Sequence, residues 1–465
     1  MEVPSAARDC YDAEVRFSIE AASFGIATAL LAASIVSCRS PQAPGSVILV
    51  SVDALRPDRL GCYGYRRPTS PSVDAFRRDA VLFRQAIAPA PSTLSSHASL
   101  LTSLVPPHHT ASMANGLALP HELVTLTEVL REHDYATASF NGGIQLDAAW
   151  GLDQGFETYV SVKPRTATAE SLVDAKDRLD HVIDLAKAWV ERNEGRPFFL
   201  FLQTYEVHSP YTPEAADLAP FRGGYAGRLA DRITIDVLRR ISDGKLTLDD
   251  RDRQHVVDAY DGEIRSMDRA FGGLTAFLRA RGLYDSSLIV FTSGHGQELG
   301  EHGRMDGSPS LFDELLHVPL LMKLPSSRLR GTTIEDQVGG IDVAPTILGV
   351  LGMSAPPQFE GRDLFATAPP ASGEGPAIVS SLDVAEPGFS VSLRTPEWKL
   401  YDGRLYHLTR DPDETDDVAR RRGEVARSLQ ARLKAALDVP ARTTKRHAAP
   451  SEELLDRLRS TGYME

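Results

Sequence analysis

Four stretches hold the residue types that ester chemistry uses. Asp53 closes the apolar run "SVILVSVD". A carboxylate at a strand end is a good oxygen ligand for a divalent ion, and it serves equally well as a cap for a following helix. Thr93 lies in "PSTLSSHASLLT", among hydroxyls that precede a helical stretch. There a hydroxyl faces orphan backbone N–H groups and the positive end of the helix dipole. A metal beside it would lower its pKa further and make it a nucleophile on an anionic ester. Ser92, Thr93 or Ser95 as an ordinary N-cap is the competing reading. His208, in "YEVHSPYTP", follows the apolar run "FFLFLQTY". A histidine there can donate to an anion, protonate a leaving group or bind a metal; it also fits a plain surface loop. His295 opens "HGQELGEHG", with Glu298, Glu301, His302 and Asp306 beyond it. Two histidines and three acids in one loop make a candidate metal centre, or a solvated polar loop. Gly294 heads that loop and has no side chain where a hard cation wants a carboxylate.

Alternating strands and helices must position these residues. "SVILVSVD" (46–53) is nearly continuous and β-branched, the pattern of a strand buried on both faces of a parallel sheet. "SPSVDAFRRDAVLF" predicts a helix with Ser70 as N-cap and Pro71 at its first position. Helices are expected at about 122–134, 172–193 and 248–282, each followed by a strand: 136–141, 197–205 and 287–293. A strand at 317–325 and a helix at 342–352 complete the series. Such alternation implies right-handed crossovers and a mostly parallel sheet sandwiched by helices. In such sheets ligands sit beyond the carboxyl ends of the strands, where Asp53, His208 and the 293–303 loop fall. After about residue 376 the texture changes to short strands and tight turns, which predict a small antiparallel sheet with a helix at 417–437 behind it. Ser451 is a candidate N-cap for a short terminal helix.

A chain of 465 residues suits one large α/β unit with a smaller appendage. Hydrophobic residues make up 42%, enough for a sizeable core. The net charge of −13 argues against nucleic acid as a partner, which would call for a basic face. The three cysteines form no CxxC pair, so no zinc ribbon or redox dithiol is expected. Cys62 reads as a small buried hydrophobe.

Residues 21–36 form an apolar run bounded by Glu20 and Arg39. It is short for a membrane span and suits the h-region of a signal peptide. It ends in Ile35-Val36-Ser37-Cys38, similar to a bacterial lipoprotein box, with an uncleaved anchor or an ordinary signal as the alternatives. The expected organisation is a signal at 1–38, a linker at 39–46, a main domain at 47–365 and a C-terminal α+β subdomain at 376–465. Export to the periplasm or cell surface follows, with membrane contact only through that anchor or signal.

Seven motifs in order carry a family resemblance: "VSVDALRPDRLGCYGYRRPTSPSVDAF", "STLSSHASLLTSLVPPHH", "VHSPY", "FTSGHGQELGEHG", "HVPLLMKLP", "IDVAPTILGVLG" and "WKLYDGRLYHLTRDPDETDDVA". They resemble the sulfatase family of the alkaline phosphatase superfamily over roughly residues 46–425. The resemblance implies an alkaline phosphatase-like fold and a divalent metal (calcium, magnesium or zinc). It implies transfer of a sulfuryl or phosphoryl group from an anionic ester. Carried across, Asp53 and His295 are metal ligands, Thr93 the nucleophile and His208 a contact to the transferred group. The C/S-x-P-x-R formylglycine motif is replaced by Thr93-Leu94-Ser95-Ser96-His97, as in a threonine-type member. Ala54 stands where many sulfatases have a second Asp. The ester-gripping lysine and histidine have no match in "GGIQLDAAWGLDQGF", and Gly294 stands where a metal-binding Asp belongs. Asp306, or Glu298, is the candidate replacement carboxylate. The expectation is therefore a metal-dependent hydrolase of sulfate or phosphate esters. The alternatives are a catalytically silent homologue that binds an anionic ligand or partner, and an envelope phospho-group transferase.

Overall fold

The computed structural model describes residues 45–162, 178–306, 310–366, 376–383, 389–438 and 444–460. The signal and lipoprotein-box segment, Cys38 included, lies outside the described residues.

One eight-stranded sheet forms the centre. Its order is Thr333–Gly339, Val81–Ile87, His317–Lys323, Leu288–Thr292, Val47–Val52, Phe198–Thr204, Ala136–Asn141, Thr158–Ser161. Only His317–Lys323 runs against its neighbours; the other pairings are parallel. The central strand VILVSV and its neighbour FFLFLQT are buried along their whole lengths, as β-branched and aromatic runs between two helical layers should be. Two apolar clusters form the layers. One side packs Ile48, Val50, Leu200 and Phe291 against the long helix Asp250–Ala280. The other packs Leu49, Phe199, Phe201 and Val290 against the helix Thr93–Thr102.

The fold corrects one expectation. The helix from Pro71 ends at Phe76, and Val81–Ile87 is a strand rather than its continuation. The run VLFRQAI pairs on both edges, antiparallel to His317–Lys323 and parallel to Thr333–Gly339, so two ladders of hydrogen bonds outweigh helical continuation. Among the described residues no helix is long and apolar enough to cross a membrane.

The C-terminal strands Ile378–Asp383, Phe389–Arg394, Trp398–Tyr401 and Arg404–His407 form an antiparallel meander, covered by the helix Gly423–Leu437 through Leu429 and Leu433. The meander is tied to the short helix Asp313–Leu316 by buried charge. Lys399 Nζ lies 2.9 Å from Asp313 and from Glu414, and Arg394 lies 2.8 Å from Asp313.

Candidate active site

Three neighbouring strands deliver the site. Leu288–Thr292, Val47–Val52 and Phe198–Thr204 lie side by side and parallel. Their carboxyl ends run into Gly294 and His295, into Asp53, and into the loop bearing Glu206 and His208. Thr93, the first residue of a ten-residue helix, supplies the fourth side chain. Asp53 and Thr93 are fully buried, and His295 and His208 nearly so. The structure brings these four side chains together at the carboxyl edge of the sheet.

Thr93 donates its hydroxyl hydrogen to Asp53 Oδ2 at 2.7 Å. His295 Nε2 lies 3.5 Å from the same hydroxyl oxygen and 4.0 Å from Asp53 Oδ2. His295 Nδ1 is 2.8 Å from the Gly296 carbonyl, which can only accept, so Nδ1 carries a proton and neutral His295 presents the Nε2 lone pair to Thr93. Burial lowers the His295 pKa, against the upward pull of Asp53. The His208 ring meets His295 edge-on, with centroids 5.8 Å apart, and its Nδ1 lies 3.1 Å from the Ser209 carbonyl.

Three contacts hold these groups. Leu94 N–H, an orphan donor of the first helical turn, is taken by Gln145 Oε1 at 3.2 Å. Ser96 donates to the Gly294 carbonyl, which ties the helix to the strand end. Tyr260, on the long helix, donates to the Ala54 carbonyl at 2.6 Å and accepts from Arg56 N–H at 3.1 Å. Ala54 has φ +61°, a left-handed turn that these bonds stabilise.

The loop acids beyond His295 are engaged in holding the loop. Glu301 pairs with Arg56 at 2.5 Å; burial would raise its pKa, but the guanidinium charge prevails and keeps it below the usual value. Glu298 accepts from Ser310 at 3.2 Å. His302 stacks on Phe312, with centroids 3.7 Å apart, and faces Glu314 at 3.4 Å. Asp306 pairs through its backbone with Glu298 in a two-residue ladder, and its side chain lies outside the described residues.

The donor set can be tested against a divalent ion. Asp53 Oδ1 is buried and accepts no hydrogen bond among the described residues, and His295 offers Nε2. Zinc takes about four donors and calcium about six to eight, several of them carboxylate oxygens. Among the described residues no group of three or more His, Cys, Asp or Glu is arranged to hold an ion. Two described donors do not make such a site, and the Asp306 carboxylate, the third expected ligand, lies outside the described residues.

Sequence reading missed Gln145 and the placement of His97. His97 lies four residues after Thr93 on one helix, a spacing that puts the two on one face. That was the available signal.

A mostly parallel sheet with a hydroxyl, a carboxylate and two imidazoles at its carboxyl edge defines an α/β protein with a candidate site beyond its strand ends. The sulfatase family model matches residues 46–353, and the chain belongs to that family. The family places it among hydrolases of sulfate and phosphate esters, whose members generally use a divalent metal. The chain is 25% identical to arylsulfatase K of Bos taurus, covering 91% of this chain and 87% of that one. A multifunctional alkaline phosphatase superfamily protein of Trinickia caryophylli is 32% identical over 39% of each chain. Among solved structures, the phosphonate monoester hydrolase of Agrobacterium radiobacter superimposes with a TM-score of 0.65 at 20% identity, covering 84% of this chain and 95% of that one.

Proposed function

We propose that this chain hydrolyses an anionic sulfate or phosphate ester with Thr93 as nucleophile. The Thr93–Asp53 hydrogen bond of 2.7 Å, beneath the His295 imidazole, carries the reading. Thr93 Oγ1 attacks the sulfur or phosphorus, and its proton passes to Asp53 or to His295 Nε2, the two acceptors in reach. His208, beside His295, donates a proton to the departing alkoxide, so the alcohol leaves neutral. Water then attacks the sulfur or phosphorus and gives a proton back to His208. The bond to Thr93 Oγ1 breaks, sulfate or phosphate leaves, and Thr93 recovers the proton held by Asp53 or His295. The positive end of the Thr93–Thr102 helix favours the anion at its first residue.

Metal ligation by Asp53, His295 and Asp306 is the set the sequence suggests. The described donors do not support it, and no step above depends on it. The same observation favours a second reading, a family member that binds an anionic ligand without turnover. Export through the apolar run at 21–36, with Cys38 as a lipid-bearing residue, completes the proposal.

The test is turnover of aryl phosphate, aryl sulfate and phosphonate monoesters by the purified chain and by Thr93→Ala. Loss of activity in the variant supports the nucleophile. No turnover of any class by the parent chain leaves the binding reading.

A further inference from the structure

Position 294 and His97 compete for one volume. A Cβ built on Gly294 would stand 2.6 Å from His97 Cε1, 3.2 Å from His97 Nδ1 and 2.6 Å from Asp53 Oδ1. Real Cβ atoms essentially never come as close as 2.6 Å, so a neighbour has to move. The imidazole is poorly placed to yield. It is fully buried and packs on Phe201, with ring centroids 5.8 Å apart. Its Nδ1 lies 2.7 Å from the Thr93 carbonyl, which only accepts, so Nδ1 carries the hydrogen. In the neutral ring Nε2 then accepts from the Ser51 hydroxyl at 2.9 Å. Both nitrogens are engaged, and no lone pair remains for a metal.

We infer that His97 replaces the divalent ion's carboxylate in space without replacing it in chemistry, so that the Asp53 pocket holds no resident metal. Gly294 and His97 form a matched pair. A carboxylate at 294 has no room while the imidazole is present. Removing the imidazole alone leaves Asp53 and His295 as the only described donors. Both changes together supply the missing anion and clear the imidazole from its path, leaving only the Asp53 carboxylate, whose Oδ1 has no partner among the described residues, to turn aside from the new Cβ. The inference is independent of whether the site turns over an ester.

The experiment compares the parent chain with Gly294→Asp, His97→Ala and the double variant. Each is assayed by elemental analysis and by calorimetric titration with MnCl2, CaCl2 and ZnCl2. The parent chain should carry far less than one ion per chain, and dialysis against EDTA should leave its melting temperature unchanged. The double variant should bind about one ion, on the order of 100-fold tighter than either single variant, since losing even outer contacts weakens metal sites about 10–100-fold. Near-stoichiometric metal in the purified parent chain overturns the inference. So does a Gly294→Asp chain that binds as tightly as the double variant, or a double variant that binds no tighter than the parent. If the alanine double variant does not melt cooperatively, His97→Ser with Gly294→Asp is judged by the same outcomes, and the EDTA measurement on the parent chain requires no variant.

Discussion

The Thr93 hydroxyl donates to Asp53 across 2.7 Å, joining the first turn of a helix to the end of the central strand. With Thr93 gone, Asp53 loses its only hydrogen-bond donor on Oδ2 among the described residues, and among them Oδ1 already has none. Thr93→Ala should lower kcat/KM at least about 1,000-fold, a loss on the order of 4 kcal/mol in transition-state stabilisation. Thr93→Ser keeps the hydroxyl and should retain measurable turnover. Steady-state kinetics on an aryl ester decides, and equal activity of parent and alanine variant removes Thr93 from the mechanism.

The C-terminal meander is held by charge in a dry place. Lys399 is fully buried between Asp313 and Glu414. Burial would raise the Asp313 pKa, but Arg394 and Lys399 prevail and hold it well below the usual carboxylate range. Lys399→Met removes one partner and leaves an uncompensated buried anion. That should cost about 3–5 kcal/mol in urea unfolding. A loss within experimental error would show that the network holds nothing together.

Burial also sets a pH dependence. Glu206 has its pKa pushed up to about 7 by desolvation, which outweighs the pull of Arg178 at 3.3 Å. The folded chain therefore keeps this proton over a range where the unfolded chain, near the ordinary carboxylate value, has lost it. Stability falls as pH rises from about 4.5 through about 7. Glu206→Gln removes the penalty. It should leave stability near that of the parent at pH 4 and raise it by up to about 3 kcal/mol at pH 8. Denaturant melts at the two pH values check this, and a gain of equal size at both would refute it.

Cys62 is predicted to be chemically inert in the native chain. Its thiol is pushed up to about 12, first by burial and then by the Asp74 carboxylate. Almost no thiolate exists at neutral pH. Alkylation by iodoacetamide, followed by peptide mass mapping, should label Cys62 at least about 100-fold more slowly than in the urea-unfolded chain.

Much of the site was legible because the chemistry sits where strands end. Asp53, His208 and His295 follow runs such as VILVSV and FFLFLQT, whose continuous apolar character comes from burial on both faces of the sheet. Val81–Ile87 was not legible as a strand. Its claim to the sheet rests on two partners far away in the chain, and without them its first residues, Val81 to Phe83, read as the tail of the Pro71 helix. The antiparallel course of His317–Lys323 was hidden for the same reason, since a strand's direction is a property of its neighbours.

By itself the sequence determined the layered α/β architecture, the strand ends that bear function and the absence of a carboxylate at 294. Local patterning encodes these directly. It did not determine what stands in that gap. His97 belongs to a helix and Gly294 to a strand end, and only packing the helix on the sheet places one imidazole inside the volume of the other's missing side chain. Close-packed interiors leave no such space empty. The fate of the loop acids is likewise tertiary: Glu301 answers Arg56 and Glu298 answers Ser310, pairings that chain spacing does not encode.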